Sequence, residues 1–298
     1  MNQFSRRLAR KLMTRRTALI TGAGAVLCAK APAQAQVMIA AGLPFGAANL
    51  LSWIGTGPSY LSTQSTDTFT YTTLTALADL SGNGNGWQQI YKPWQPTVGS
   101  FGGCFFGAGT LLDCVYPLML TGLSAITMGF TFALSTGGSN NRTLMAISNA
   151  AGTADTLSLN FTSGGSPALQ AHVNANDSGS TYTTTAGAAL SLSTKHTLVC
   201  RLDLAGAINS GVGTIDLNVD GASYLGAPAT FSLTGAVPWP VAPKELPMSL
   251  RIGNAECGYQ TIPSPDEALL GEVTGAMFLA EYSSNARVAQ LNTWLAAQ

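Results

Sequence analysis

Histidine is almost missing from this chain. Its 298 residues include two, His172 and His196, and five cysteines with no C-x-x-C pair among them. That excludes the common structural zinc frameworks, which cluster four thiolates and imidazoles. It also leaves two candidate bases for a Ser-His-Asp arrangement. Charge is scarce, with 9% Asp, Glu, Lys and Arg. No E-x-D-x-x-E string occurs, so the paired carboxylates that would flank a glycosidic bond are not offered by one strand. G-x-S-x-G is absent, and "GAGTLLD" lacks the Lys of a phosphate loop. No acidic residue precedes Asp67.

The formal net charge is zero, but it is unevenly built. Arg6, Arg7, Arg10, Lys11, Arg15, Arg16 and Lys30 supply seven of the fourteen basic groups, so everything after Lys30 carries 7 positive and 14 negative groups, a net of −7. An acidic body argues against nucleic acid as a partner, since phosphate contacts need a basic footprint. The basic start precedes an apolar run from Ala18 to Ala29 and small residues at Ala31, Ala33 and Ala35. That order reads as an export signal over residues 1–35 with A-x-A cleavage sites. Thr14-Arg15-Arg16 followed by Leu19 resembles a twin-arginine signal. The run is shorter than the roughly 20 residues of a membrane span, and no transmembrane helix is expected in the mature chain. A periplasmic or secreted protein is therefore expected.

What is abundant is period-two alternation. "ITMGFTFAL" sets Ile126, Met128, Phe130, Phe132 and Leu134 on one face. "TLSLNF", "ALQAHVNA", "HTLVCRLDL", "TIDLNVDG", "MSLRI" and "EVTGAMFLAEY" continue the pattern, with Asp220-Gly221 as a hairpin turn. Each strand is expected to bury one face and wet the other, as in antiparallel sheets packed face to face. Helical spacing occurs at the end, where Ser283 or Ser284 caps a run with Val288, Leu291 and Leu295. The expected fold class is all-β, a jelly-roll sandwich of two antiparallel sheets with a short C-terminal helix. Residues 36–75 read as an irregular segment packing on the sandwich, and 76–298 as the domain.

Several motifs, in order, resemble the laminin-G-like, concanavalin A-like lectin/glucanase superfamily. "DLSGNGN" at Asp79 to Asn85 is similar to a D-x-S-G-N-G-N loop of bacterial members. "QPTVGSFGGCFF", "RTLMAI", "HTLVCRLD", "NVDG", "LRIGN" and "GEVTGAMFLAEYSSNARVAQLNTWLA" resemble the segments that follow. "CFFGAG" stands where many members have F-D-G, so no role of that Asp carries over. The resemblance implies a concanavalin A-like jelly roll and a carbohydrate or cell-surface protein as partner. It points to a non-catalytic binding protein. A glycoside hydrolase or polysaccharide lyase of the same fold, or a structural envelope protein, are the alternatives.

Candidate site residues follow from chemistry. Trp87, Tyr91, Trp94 and Trp239 could stack on a sugar ring, or could plug loops against the core. Gln170, His172 and Asn174 share the polar face of one strand and could hydrogen-bond hydroxyls. His196 reads as part of the scaffold. Asp79, Ser81, Asn83 and Asn85 alternate like the front half of a calcium loop, with Gly84 sixth, but Ile90 replaces the closing acid. A plain turn, a Ca²⁺ site and a ligand contact all stay open for that loop; no other cofactor is implied. Asp216 and Asp220 straddle a hairpin and read as solvated acids, while Asp266, Glu267 and Glu272 lie in or beside a Pro-rich loop. An oxidising compartment favours disulfides, with Cys104–Cys114 and Cys200–Cys257 the expected pairs.

Overall fold

The computed structural model describes residues 49–55, 61–66, 72–77, 79–81, 83, 86–89, 92–107, 109–114, 123–136, 142–148, 155–174, 181–232, 250–254 and 267–298. All fall in the unit Leu43–Gln298. The expected signal, Asn85, Tyr91, Trp239, Met248, Cys257 and Asp266 lie outside the described residues.

The protein is an all-β sandwich. In chain order its strands are β1 (Leu50–Ile54), β2 (Leu61–Thr66), β3 (Thr72–Leu77), β4 (Trp87–Gln88), β5 (Thr97–Val98), β6 (Cys104–Phe106), β7 (Leu112–Cys114), β8 (Ala125–Leu134) and β9 (Arg142–Ser148). Then come β10 (Asp155–Phe161), β11 (Leu169–Asn174), β12 (Thr181–Thr183), β13 (Lys195–Asp203), β14 (Gly213–Val219), β15 (Ala222–Ser223), β16 (Ala229–Phe231), β17 (Leu250–Ile252) and β18 (Gly271–Leu279). Among the described residues one α-helix follows, α1 (Asn285–Ala296).

Sheet A centres on β8, paired on one side with β13 and on the other with β18. β14 extends it beyond β13 and carries β15 and β16. β1 and β6 pair with different parts of β18. Sheet B runs β2, β3, β4, β7, β17, β9, β10, β11, β12. Every strand pairing is antiparallel. β5 pairs with both β3 and β6, so the layers are continuous at that end. Ile126, Met128, Phe130, Phe132, Leu198, Cys200, Leu202, Ile215 and Leu217 point from sheet A into one buried cluster. Met145, Ile147, Leu157, Leu159, Phe161, Leu169, Ala171, Val173, Leu250 and Ile252 meet them from sheet B. The alternation places these residues because successive side chains on a strand face opposite ways.

Three expectations are corrected. Residues 36–75 do not read as irregular throughout, because β1, β2 and β3 form there. Sheet A does not wet its outer face: Thr127, Thr131, Thr197 and Arg201 are all buried. The cause is α1, laid across that face. Thr131 donates its hydroxyl to Leu295 O (2.8 Å), and Thr197 donates to Asn292 Oδ1 (3.0 Å). Gly129 makes the close approach possible, since a Cβ there would lie 2.9 Å from Leu295 Cδ1. The helix begins where expected, with Ser284 as N-cap accepting from the Arg287 amide. It buries Val288, Leu291 and Leu295.

The third correction concerns the thiols. Cys104, Cys114 and Cys200 are buried thiols and form no disulfide; the partner expected for Cys200 is outside the described residues. Cys104 belongs to β6 of sheet A and Cys114 to β7 of sheet B. Facing sheets stand about 10 Å apart, whereas a disulfide needs its Cα atoms within about 7 Å. Burial, with Glu272 nearby, pushes the Cys104 thiol up to about 12, so it stays protonated. Burial also raises Cys200.

Glu272, which opens the late strand expected beside the Pro-rich loop, is a buried clamp on β18. Its carboxylate accepts from the amides of Gly103 (2.6 Å) and Phe101 (3.0 Å), fixing the turn between β5 and β6. Gly103 has no room for a side chain: a Cβ would sit 2.4 Å from Val273 O and 2.9 Å from Thr274 Cα. Gly103→Ala must push β6 off β18, so a loss of about 2–3 kcal/mol is expected in urea unfolding. An unchanged midpoint would refute the clamp.

Candidate functional site

The outer face of sheet B carries the polar side chains that alternation leaves over, but like that of sheet A it is not simply wetted: Thr143, Ala146, Ser158 and Arg251 are buried, and His172 is half-buried. Across the sheet the register aligns Gln88, Asp113, Arg251, Ala146, Ser158, His172 and Thr183 in one row. Gln170 stands opposite Asn160 in the neighbouring row. The side chains form a lattice. Thr143 donates to Asn160 Oδ1 (2.8 Å), and Asn160 Nδ2 donates to Ser158 Oγ (2.9 Å). Arg251 Nε meets Asp113 Oδ1 at 2.8 Å. Gln170 Nε2 reaches Thr184 O at 3.5 Å, a weak contact that leaves most of the amide's capacity unspent.

His172 is the distinctive member. Its Nδ1 lies 3.0 Å from Thr183 Oγ1, while its Nε2 is buried and has no hydrogen-bond partner among the described residues. A buried ring nitrogen is costly to leave without a hydrogen bond. Burial lowers the His172 pKa. The ring is therefore neutral at pH 7 and offers one donor and one acceptor.

The candidate residues do not converge. Trp87 is fully buried, stacks on Phe278 with ring centroids 5.4 Å apart, and donates Nε1–H to Ser52 Oγ (3.2 Å). It is a core residue and cannot stack on a sugar. Trp94 ends a 3-10 turn (Lys92–Trp94) and is half-buried. β4, just before that turn, is separated from β11 by β7, β17, β9 and β10, so Trp94 and His172 belong to different regions of the sheet. Asn174 pairs with Thr181 at the end of β11, in line with Gln170 and His172.

The Asp79 loop is tied down by hydrogen bonds. Asp79 Oδ1 accepts from the amides of Trp53 (3.0 Å) and Ser81 (2.9 Å), and Oδ2 accepts from the Ser81 hydroxyl (2.7 Å). Asn83 Nδ2 donates to Leu50 O (2.6 Å). These contacts fasten the turn to β1. The carboxylate is occupied by donors and Asn83 presents its nitrogen, so the described part of the loop does not fit a calcium cage of converging oxygens. Among the described residues, no three His, Cys, Asp or Glu side chains gather as a metal site would require.

Two groupings escaped the sequence. Asp216 and Arg201 form a buried pair beneath α1, described below. Ser191, His196 and Asp220 meet at the rim of the sandwich. His196 Nδ1 lies 2.7 Å from Asp220 Oδ2, and Nε2 lies 3.1 Å from Ser191 Oγ. The register of β13 against β14 and the Asp220-Gly221 turn could have brought His196 and Asp220 together on paper; nothing in the sequence singles out Ser191. Beside this trio, on the outer side of sheet A, a cleft of about 360 Å³ is lined by Thr131, Lys195, Thr197, Asp220 and Asn292 among others. Its two threonine hydroxyls already donate to α1.

No family model matches the chain, and no curated protein matches it. Solved structures do. Trypanosoma rangeli sialidase in complex with 2,3-difluorosialic acid aligns with TM-score 0.51 and 12% identity over 84% of this chain and 33% of that one. The present chain thus spans about a third of the sialidase's length. The SAP-like pentraxin of Limulus polyphemus (TM-score 0.41, 13% identity, 56% and 69% covered) is also similar. So is the CBM40 of Ruminococcus gnavus IT-sialidase, solved with alpha2,3 sialyllactose (TM-score 0.41, 11% identity, 57% and 83% covered). Identities this low speak to the fold alone.

Proposed function

We propose that this is an exported protein, periplasmic or secreted, that binds a carbohydrate on the outer face of sheet B. The observation that carries the reading is the unpartnered, buried Nε2 of His172 within a lattice of Ser, Thr, Asn and Gln side chains. Sugar hydroxyls both donate and accept, so a neutral imidazole beside amides and hydroxyls suits them. The described part of that face carries no pair of acids opposed across a gap, which supports binding over glycoside hydrolysis.

A glycan array on the mature protein, followed by titration of the best glycan, tests this. His172→Ala and Gln170→Ala are each expected to weaken binding about 3- to 10-fold, the worth of one hydrogen bond. EDTA is expected to leave affinity unchanged. Polysaccharide turnover would replace this reading with the enzymatic alternative. Binding that survives both substitutions would move the site off sheet B.

A further inference from the structure

We infer that the turn carrying Asp79, Leu80, Ser81 and Asn83 is a cap on the β1 edge of sheet A, and that this edge, uncapped, pairs with the same edge of a second copy of the chain. Carbohydrate binding on sheet B plays no part in it.

β1 is poorly guarded by its own sequence. Among the described residues its strand partner is β18, on one side. The strand reads LLSWI, with no charge and no proline to discourage a further strand. A strand in that position turns a row of N–H and C=O groups outward, and these need partners. Two such edges are self-complementary when antiparallel, so a two-fold axis between two copies would satisfy both together.

The turn supplies those partners instead. At Trp53 both backbone groups are taken. The amide donates to Asp79 Oδ1 (3.0 Å), and the carbonyl accepts from Leu80 N (2.7 Å). A residue in an antiparallel ladder makes the same reciprocal exchange with its neighbour. Here the acceptor is a carboxylate rather than a carbonyl. Further along the edge, Leu50 O accepts from Asn83 Nδ2 (2.6 Å), a side-chain amide in place of a backbone one. Side chains satisfy the edge without continuing it as a strand. The register of β1 against β18 also slips between Leu50 and Ser52, and a bulge of that kind twists an edge away from pairing.

Asp79 is held in place for this contact. Ser81 N donates to Oδ1 (2.9 Å) and the Ser81 hydroxyl to Oδ2 (2.7 Å), so the carboxylate is fixed between its own turn and β1. Asn83 N donates to Ser81 Oγ (3.2 Å), which sets the asparagine over Leu50. Asp79, Ser81 and Asn83 thus each have a contact beyond what reversing the chain requires.

Sedimentation and amide exchange on the purified protein test this. The parent is expected to be monomeric. In Asp79→Ala the Trp53 amide loses its acceptor, and the mass is expected to rise with concentration toward twice the parent's. Its Trp53 amide is expected to exchange fast when the variant is dilute and slowly when it is concentrated, because the paired edge protects it. Asp79→Asn retains Oδ1 as an acceptor and should stay monomeric. Asn83→Ala, at an exposed position, removes the Leu50 contact and should self-associate more weakly than Asp79→Ala. It decides the question alone if Asp79→Ala does not fold, as judged by circular dichroism. A folded variant that stays monomeric at every concentration would overturn the inference. So would self-association in which the Trp53 amide still exchanges fast, which marks clumping of unfolded chains, or Asp79→Asn associating as strongly as Asp79→Ala. A parent that already dimerises through β1 would overturn it as well.

Discussion

Asp216→Ala is expected to cost the fold about 3–5 kcal/mol, a large part of the 5–15 kcal/mol that holds a typical domain. Asp216 accepts from both Nε (3.0 Å) and Nη2 of Arg201, and both side chains are buried. The remaining nitrogen of the guanidinium, Nη1, donates to Ser283 O and Asn285 Oδ1, each at 2.8 Å. Tyr282 stacks over the cation, 4.8 Å from its ring centroid. Arg201 therefore fastens β13 to β14 and to the start of α1 together. Removing Asp216 leaves a cation in the interior with no counter-charge on β14, which is the expensive half of such a pair. Arg201→Met with Asp216→Leu should recover part of the loss, because neither charge is then stranded. Equilibrium unfolding of the two single variants and the double variant measures the coupling. A loss below about 1 kcal/mol for Asp216→Ala would show that water reaches the guanidinium.

Trp87→Ala is expected to cost a similar amount, about 3–5 kcal/mol. The ring is the largest fully buried side chain among the described residues, and its removal leaves Phe278 facing a void. Phe278 also meets Phe130 edge-on at 5.8 Å, so the void opens between the two sheets. Trp87→Phe fills most of that space and should cost less, losing chiefly the bond to Ser52. Glycan affinity of folded Trp87→Phe should equal the parent's. A drop in affinity at full stability would return Trp87 to the binding surface.

Much of the architecture was legible because the strands of sheet A and the central strands of sheet B alternate cleanly. Ile126 to Leu134, Leu198 to Leu204 and Ile215 to Val219 all send their apolar members into the core. Asp220 and Gly221 both take positive φ, as their turn chemistry demands. The helix was readable from its cap and its spacing. What could not be read was the cover over the outer face of sheet A. Alternation says which residues point outward and says nothing of what lies on them, so Asp216 read as solvated and proved buried. Trp87 posed the converse difficulty: a Gly- and Asn-rich neighbourhood signals a surface turn, yet the next strand dives straight into the core. Of the site residues, Gln170 and His172 were placed by register alone. Ser191 was invisible, since a serine in a loop carries no pattern until tertiary structure sets it against an imidazole.

The pairing of β18 governs how this chain can fold. Its residues bind β1, near the start of the described chain, and β8, the centre of sheet A. A nascent chain lacking β18 would leave a whole edge of β8 without hydrogen bonds and β1 without a neighbour in sheet A. Ordering thus waits until nearly all the domain has been made, and contacts between such distant segments assemble slowly. A chain that stays open through synthesis and then closes in one concerted event has a long interval in which chaperones can engage it.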